Sequence, residues 1–150
     1  MKIIICLATD PEIDAIKAIA DANREDLGFL PSAKVKEAIQ RQQTLVAFVE
    51  DQVVGFVIYR HRLRDKQTTL YDICVQETRR KKGVGTALLT ALQTECHQQE
   101  RAFIQLKCPI SLPANQFYEY FGFKKVGVDA GKKQALNIWQ LPITNGAEQP

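Results

Sequence analysis

Four consecutive cations, Arg79-Arg80-Lys81-Lys82, run directly into Gly83-Val84-Gly85-Thr86. The residues on either side constrain the fold more than any other part of the chain. Before them, Thr68–Val75 reads as a strand. After them Val84, Leu88, Leu92 and Cys96 fall on one helical face up to about Gln99. The segment is therefore a strand–loop–helix unit with a basic, glycine-bearing turn. Positive side chains at a helix start oppose the helix dipole. A bound anion relieves that conflict, because the first-turn N–H groups point at it and glycines allow a close backbone approach. A phosphate or pyrophosphate is the natural candidate. Two known phosphate loops do not fit: Leu88 occupies the third glycine position of G-x-G-x-x-G, and the G-x-x-x-x-G-K-[ST] pattern is absent. At this level a solvated charge run beside a turn remains the competing reading.

The rest of the chain supplies the partners of that unit. Ile3–Leu7 reads as a buried strand, and Thr9-Asp10-Pro11-Glu12 as a helix start with an N-cap candidate, a first-turn proline and acids facing the dipole. Ile13, Ile16 and Ile19 give that helix an apolar face. Asn23–Pro31 is a connection, and Ser32 is expected to cap a short helix through Val35 and Ile39. Thr44–Glu50 and Val53–Arg60 flank Asp51-Gln52 as a hairpin. A basic loop, His61–Lys66, leads to the strand already noted. Phe103–Cys108 is another strand, Ala114–Phe121 a short helix, and Lys124–Val128 with Gln134–Leu141 a closing hairpin. The order β-α-α-β-β-β-α-β-α-β-β predicts one α+β domain with a mixed sheet covered by helices. It spans 1–143, with a polar flexible tail at 144–150.

Composition excludes several classes. With 150 residues, 45% hydrophobic and 25% charged, the chain is an ordinary globular one. A net charge of +3 and a pI near 8.7 argue against nucleic acid, which usually requires a domain pI above about 9. That total hides an uneven distribution. The run at 79–82 and the loop around 60–66 carry the positive charge, and the remainder sums negative. The four cysteines, Cys6, Cys74, Cys96 and Cys108, form no CxxC pair and lie near no histidine ligand set. They are expected to be reduced buried thiols, without a metal site, in a cytoplasmic protein. No stretch approaches the roughly 20 apolar residues of a membrane span.

A second signature lies downstream: Asn115-Gln116-Phe117-Tyr118-Glu119-Tyr120-Phe121-Gly122-Phe123. Together with Arg80-x-x-Gly83-x-Gly85, in this order and spacing, it resembles the GNAT superfamily of acyl-CoA-dependent N-acetyltransferases. The likeness covers nearly the whole chain. It implies a mostly antiparallel sheet of about seven strands flanked by about four helices, with a splayed strand pair at the cofactor site. It implies acetyl-CoA as co-substrate and direct transfer to a primary amine in a ternary complex. The acceptor would be a small molecule or protein amine, and a homodimer is compatible with the family.

Residue by residue, the resemblance implies that the pantetheine arm pairs with backbone groups of Ile73, Cys74 and Val75, in the manner of an added strand. The amides of Lys81, Lys82, Gly83, Val84, Gly85 and Thr86 would cradle the pyrophosphate, with Arg80 beside them. Tyr118 matches the tyrosine that protonates the departing thiolate. Relatives place a pantetheine-contacting asparagine seven residues before that tyrosine, where Ser111 stands here; Asn115, three before it, either contacts cofactor or caps the helix. Relatives often carry a glutamate where Leu106 stands. Asp72 is then the first choice as base, ahead of the loop acid Glu77. A base matters because an amine of pKa about 10.4 is only ~0.1% neutral near pH 7.5. The acceptor site is expected between the Asn23–Pro31 connection and the His61–Lys66 loop. A second class of function is a catalytically silent acyl-CoA-binding sensor of the same fold.

Overall fold

In a computed structural model, which describes residues 1–144, seven strands form one sheet in the order β1-β2-β3-β4-β5-β7-β6. They are β1 (Ile4–Leu7), β2 (Thr44–Val49), β3 (Gln52–His61), β4 (Gln67–Val75), β5 (Phe103–Pro109), β6 (Lys124–Asp129) and β7 (Leu136–Pro142). The helices are α1 (Ile13–Ala22), α2 (Arg24–Leu27), α3 (Ser32–Gln40), α4 (Val84–Gln98) and α5 (Ala114–Phe121). β1–β2, β2–β3, β5–β7 and β6–β7 pair antiparallel. β4 and β5 pair parallel over three residue pairs, Gln67–Thr69 against Phe103–Gln105. From residue 145 the expected tail lies outside the described residues. Packing divides the described residues into two compact units, Met1–Arg60 with Tyr71–Thr94, and His61–Leu70 with the residues from Glu95 onward.

In the first unit β2 and the middle of β3 are buried along their length, as a strand covered on both faces must be. Ile16 and Ile19 of α1 and Val35 and Ile39 of α3 close one core with Val46, Phe56, Ile58 and Cys74. Gly55 serves the opposite side. A Cβ there would stand 3.0 Å from the Cys74 carbonyl and 3.3 Å from side-chain atoms of Leu88 and Val84. Glycine at this strand position is what lets the start of α4 close down on β3.

In the second unit, buried Ile104, Leu106 and Cys108 alternate along β5 and pair with buried Leu141, Trp139 and Asn137 of β7. Phe117, Tyr118, Phe121 and Phe123 form a ring cluster with neighbouring centroids 5.7–6.5 Å apart. It ties α5 to the start of β6.

Several local expectations are corrected. β1 is mostly exposed, not buried, because it is an edge strand paired with β2 alone; Cys6 is exposed with it, while the other three thiols are buried. The 23–31 connection is not a plain loop but contains a one-turn helix, Arg24–Leu27. The first hairpin turns at Glu50-Asp51, one residue earlier than expected, since Val49 pairs with Gln52. Both turn residues have positive φ (51° and 63°), the two-residue geometry that matches strand twist. Ser32 is the first residue of α3, not its cap; Pro31 holds the cap position.

Candidate active site

Local rules build the basic loop of the first unit. β4 ends at Val75, and the Gln76 N–H donates to the Val54 carbonyl at 2.7 Å, anchoring the strand end to β3. A single turn, Glu77–Arg79, follows. The chain then reverses through two left-handed positions, Lys81 (φ 61°) and Gly83 (φ 89°). Glycine suits the second because it has no Cβ to clash. The first intrahelical bond of α4 runs from the Ala87 N–H to the Gly83 carbonyl at 2.9 Å. The amides of Val84, Gly85 and Thr86 therefore precede the ladder, at the positive end of a 15-residue helix. No acid stands in that first turn, and Lys81 and Lys82 are exposed beside it.

Arg80 is occupied differently from Lys81 and Lys82. Its Nε donates to the Val75 carbonyl at 3.2 Å, and its terminal nitrogen donates to Asn23 Oδ1. Asn23 in turn donates to the Ile19 carbonyl at 2.7 Å. Arg80 thus braces the loop against the end of α1. This partner was invisible in sequence, since 57 residues separate the two.

Asp72, Ile73 and Val75 are half-buried and Cys74 is buried. Burial pushes the Cys74 thiol up to about 11, against the pull of Arg80, so it is protonated at neutral pH. It is a packing thiol. Burial also raises the Asp72 carboxyl above the ordinary aspartate value, while Lys34 pulls it down. Asp72 lines a cleft of about 460 Å³ within the first unit. Phe29 and Leu30 of the 23–31 connection line it; of the basic segment only Arg60 does, and the His61–Lys66 loop does not. His61 is instead tied down, with Nδ1 2.7 Å from Thr68 Oγ1 and Nε2 3.0 Å from Glu95 Oε2. The cleft's other walls, from α3 and β3, carried no sequence signal.

The second unit holds the remaining predicted residues. Ser111 is exposed on the loop after β5. Asn115 is not the helix cap, which is Pro113. Its Nδ2 donates to the carbonyls of Pro109 and Leu112, both at 2.8 Å, and faces that of Ile110 at 3.3 Å. Its Oδ1 accepts from Trp139 Nε1 at 2.9 Å and Asn137 Nδ2 at 3.1 Å. The side chain is thereby committed to holding the loop. Tyr118 is 6% exposed, with its ring between Phe117 and Phe123, both at 5.7 Å.

A sequence model of the acetyltransferase (GNAT) domain matches residues 18–138. No curated protein matches the chain significantly in sequence. Among solved structures, Ard1 from Thermoplasma volcanium superposes with TM-score 0.87 at 18% identity, over 97% of this chain and 100% of that one. The ribosomal-protein-S18-alanine N-acetyltransferase from Escherichia coli gives 0.80 at 20%, over 99% of each. N-acetylglutamate synthase from Neisseria gonorrhoeae, solved with coenzyme A and N-acetyl-glutamate, gives 0.84 at 11%, over 97% of this chain and 36% of that one. At these identities the likeness is one of fold. Among the described residues, no helix is long and apolar enough to cross a membrane.

Proposed function

The chain belongs to the acetyltransferase (GNAT) domain family, and on that premise we propose that it moves an acetyl group from acetyl-CoA to a primary amine by direct attack in a ternary complex. The start of α4 carries this reading. Three amides ahead of the helical ladder, two left-handed loop residues and exposed Lys81 and Lys82 meet what a pyrophosphate requires: N–H donors, a positive dipole end and no competing acid. The backbone of Ile73 and Cys74 is offered to the pantetheine arm; the Val75 carbonyl is shared with Arg80. Ser111 contributes its hydroxyl, and Asn115 contributes by shaping the loop that carries it.

In the transfer step the amine nitrogen bonds to the thioester carbon and the carbon–sulfur bond breaks. Asp72 takes the amine proton. Burial raises its pKa, which makes it a better proton acceptor than an ordinary aspartate. Tyr118 supplies the proton that the leaving thiolate needs; the phenol's pKa of about 10 lies close enough to that of a thiol, about 8.5. The protonated Cys74 accords with direct transfer and offers no nucleophile for an acyl-enzyme.

Thermal denaturation with acetyl-CoA tests the binding half. At one hundred times its dissociation constant a ligand adds about 2.7 kcal/mol, worth roughly 5–11 °C at this size. No shift at saturating acetyl-CoA would end both the transferase reading and that of a silent CoA sensor. A shift without free thiol release across a panel of amines would leave only the sensor.

A further inference from the structure

We infer that the cleft of the first unit takes an α-amino carboxylate, a free amino acid and not a polyamine, as the acceptor of acetyl transfer. The inference rests on the transfer reading and adds the substrate class. The cleft's volume of about 460 Å³ lies within the roughly 300–1,000 Å³ of small-molecule sites. Its walls carry two acids, Glu37 and Asp72, and three cations, Lys34, Arg41 and Arg60. Glu37 of α3 and Arg41, at the cap just after it, offset each other in a 2.9 Å ion pair. One carboxylate, Asp72, then faces two cations, Lys34 and Arg60. Lys34 is near enough for its charge to act on Asp72 directly.

An acceptor with a single ammonium group finds its counter-charge at Asp72. A second ammonium group would meet Lys34 or Arg60 and be repelled, while a carboxylate there is attracted. The complementary ligand carries one positive and one negative charge a few bonds apart. The rim adds a further preference. Phe29 is 61% and Tyr71 47% exposed at the cleft, an apolar surface for a side chain. Lys17 and Arg24, which do not line the cleft, sit over the Phe29 ring at 4.4 and 4.5 Å and hold it in place. Aromatic amino acids meet all three demands.

Calorimetric titration of the CoA-saturated protein tests this without relying on turnover. Phenylalanine, phenethylamine and spermidine are the probes; the first two differ only by the carboxylate. Phenylalanine should bind at least tenfold more tightly than phenethylamine, and spermidine most weakly. Lys34→Ala should bring phenylalanine down to the phenethylamine level, while Lys34→Arg retains most of the difference. Equal affinity for the first two probes, tighter binding of spermidine, no detectable phenylalanine binding, or selectivity that survives in Lys34→Ala would each overturn the inference. Selective binding of phenylalanine without thiol release from acetyl-CoA would instead leave the ligand class standing and remove the transfer reading.

Discussion

Two loops resembling cofactor-binding segments turn out to be opposite kinds of object. The loop from Val75 into α4 leaves its chemistry open: amides ahead of the helical ladder, exposed lysines and left-handed backbone. The loop from Pro109 into α5 is closed upon itself. One asparagine, Asn115, spends its amide on the carbonyls of Pro109 and Leu112 and its oxygen on Trp139 and Asn137. A binding loop must hold polar groups that water, and then ligand, can satisfy. A scaffolding loop must satisfy its own, since buried unmet groups each cost about 1–3 kcal/mol.

The largest effect that would sharpen this contrast is on stability. Asn115→Ala strands the Trp139 indole N–H and several carbonyls, and should cost about 2–4 kcal/mol. That is a fall in melting temperature on the order of 4–16 °C, with any loss of acetyl-CoA affinity arising through the loosened Ser111 loop and so accompanying the loss of stability. A large loss of affinity at unchanged stability would instead make Asn115 a ligand-binding residue and erase the contrast.

Tyr118→Phe keeps the ring packing and removes only the hydroxyl. It should lower turnover by about tenfold to a hundredfold with acetyl-CoA affinity within about threefold, read from thiol release and calorimetry. Unchanged turnover would reassign Tyr118 to the aromatic cluster alone. Gly83→Ala forces a Cβ into a left-handed position at a cost of about 1–2 kcal/mol. The nearby space is empty, so strain and not collision is the cause. Its main readout should be weakened acetyl-CoA binding, about tenfold; full affinity would show that the loop geometry is dispensable.

The smallest effect on stability is at Asp72, where two observables move in opposite directions. As the base it must be ionised, so kcat/KM should fall as pH drops through its raised pKa, and Asp72→Asn should lower activity and remove that limb. For stability the sign reverses. A carboxyl with a folded pKa above its unfolded value binds protons more readily when folded, so its contribution weakens as pH rises. Asp72→Asn should therefore melt slightly higher than the parent at neutral pH, the difference vanishing in acid. A lower melting temperature would indicate a structural partner for the ionised form.

Much of the fold was legible because it repeats locally. The helical period of Val84, Leu88 and Leu92 and the alternation of Ile104, Leu106 and Cys108 each restate one instruction several times. The exposed edge strand β1 was not legible: Ile3–Leu7 is as apolar as an interior strand, and only its place at the end of the sheet leaves it open. Gly55 did carry a signal, a glycine inside a strand run, that marks close approach. The Arg80–Asn23 brace and the cleft walls carried none.

By itself the sequence determined the order of elements, the family and the basic glycine loop at the start of α4, since strand–turn–helix patterns and glycine positions act over a few residues. Only the tertiary structure decided that Arg80 braces and does not stand free, that Asn115 closes its loop, and that Lys34, Arg60 and Asp72 share one cleft. Each of those outcomes depends on side chains brought together from distant positions, and hydrogen bonds and local charges act over distances in space that the linear order does not encode.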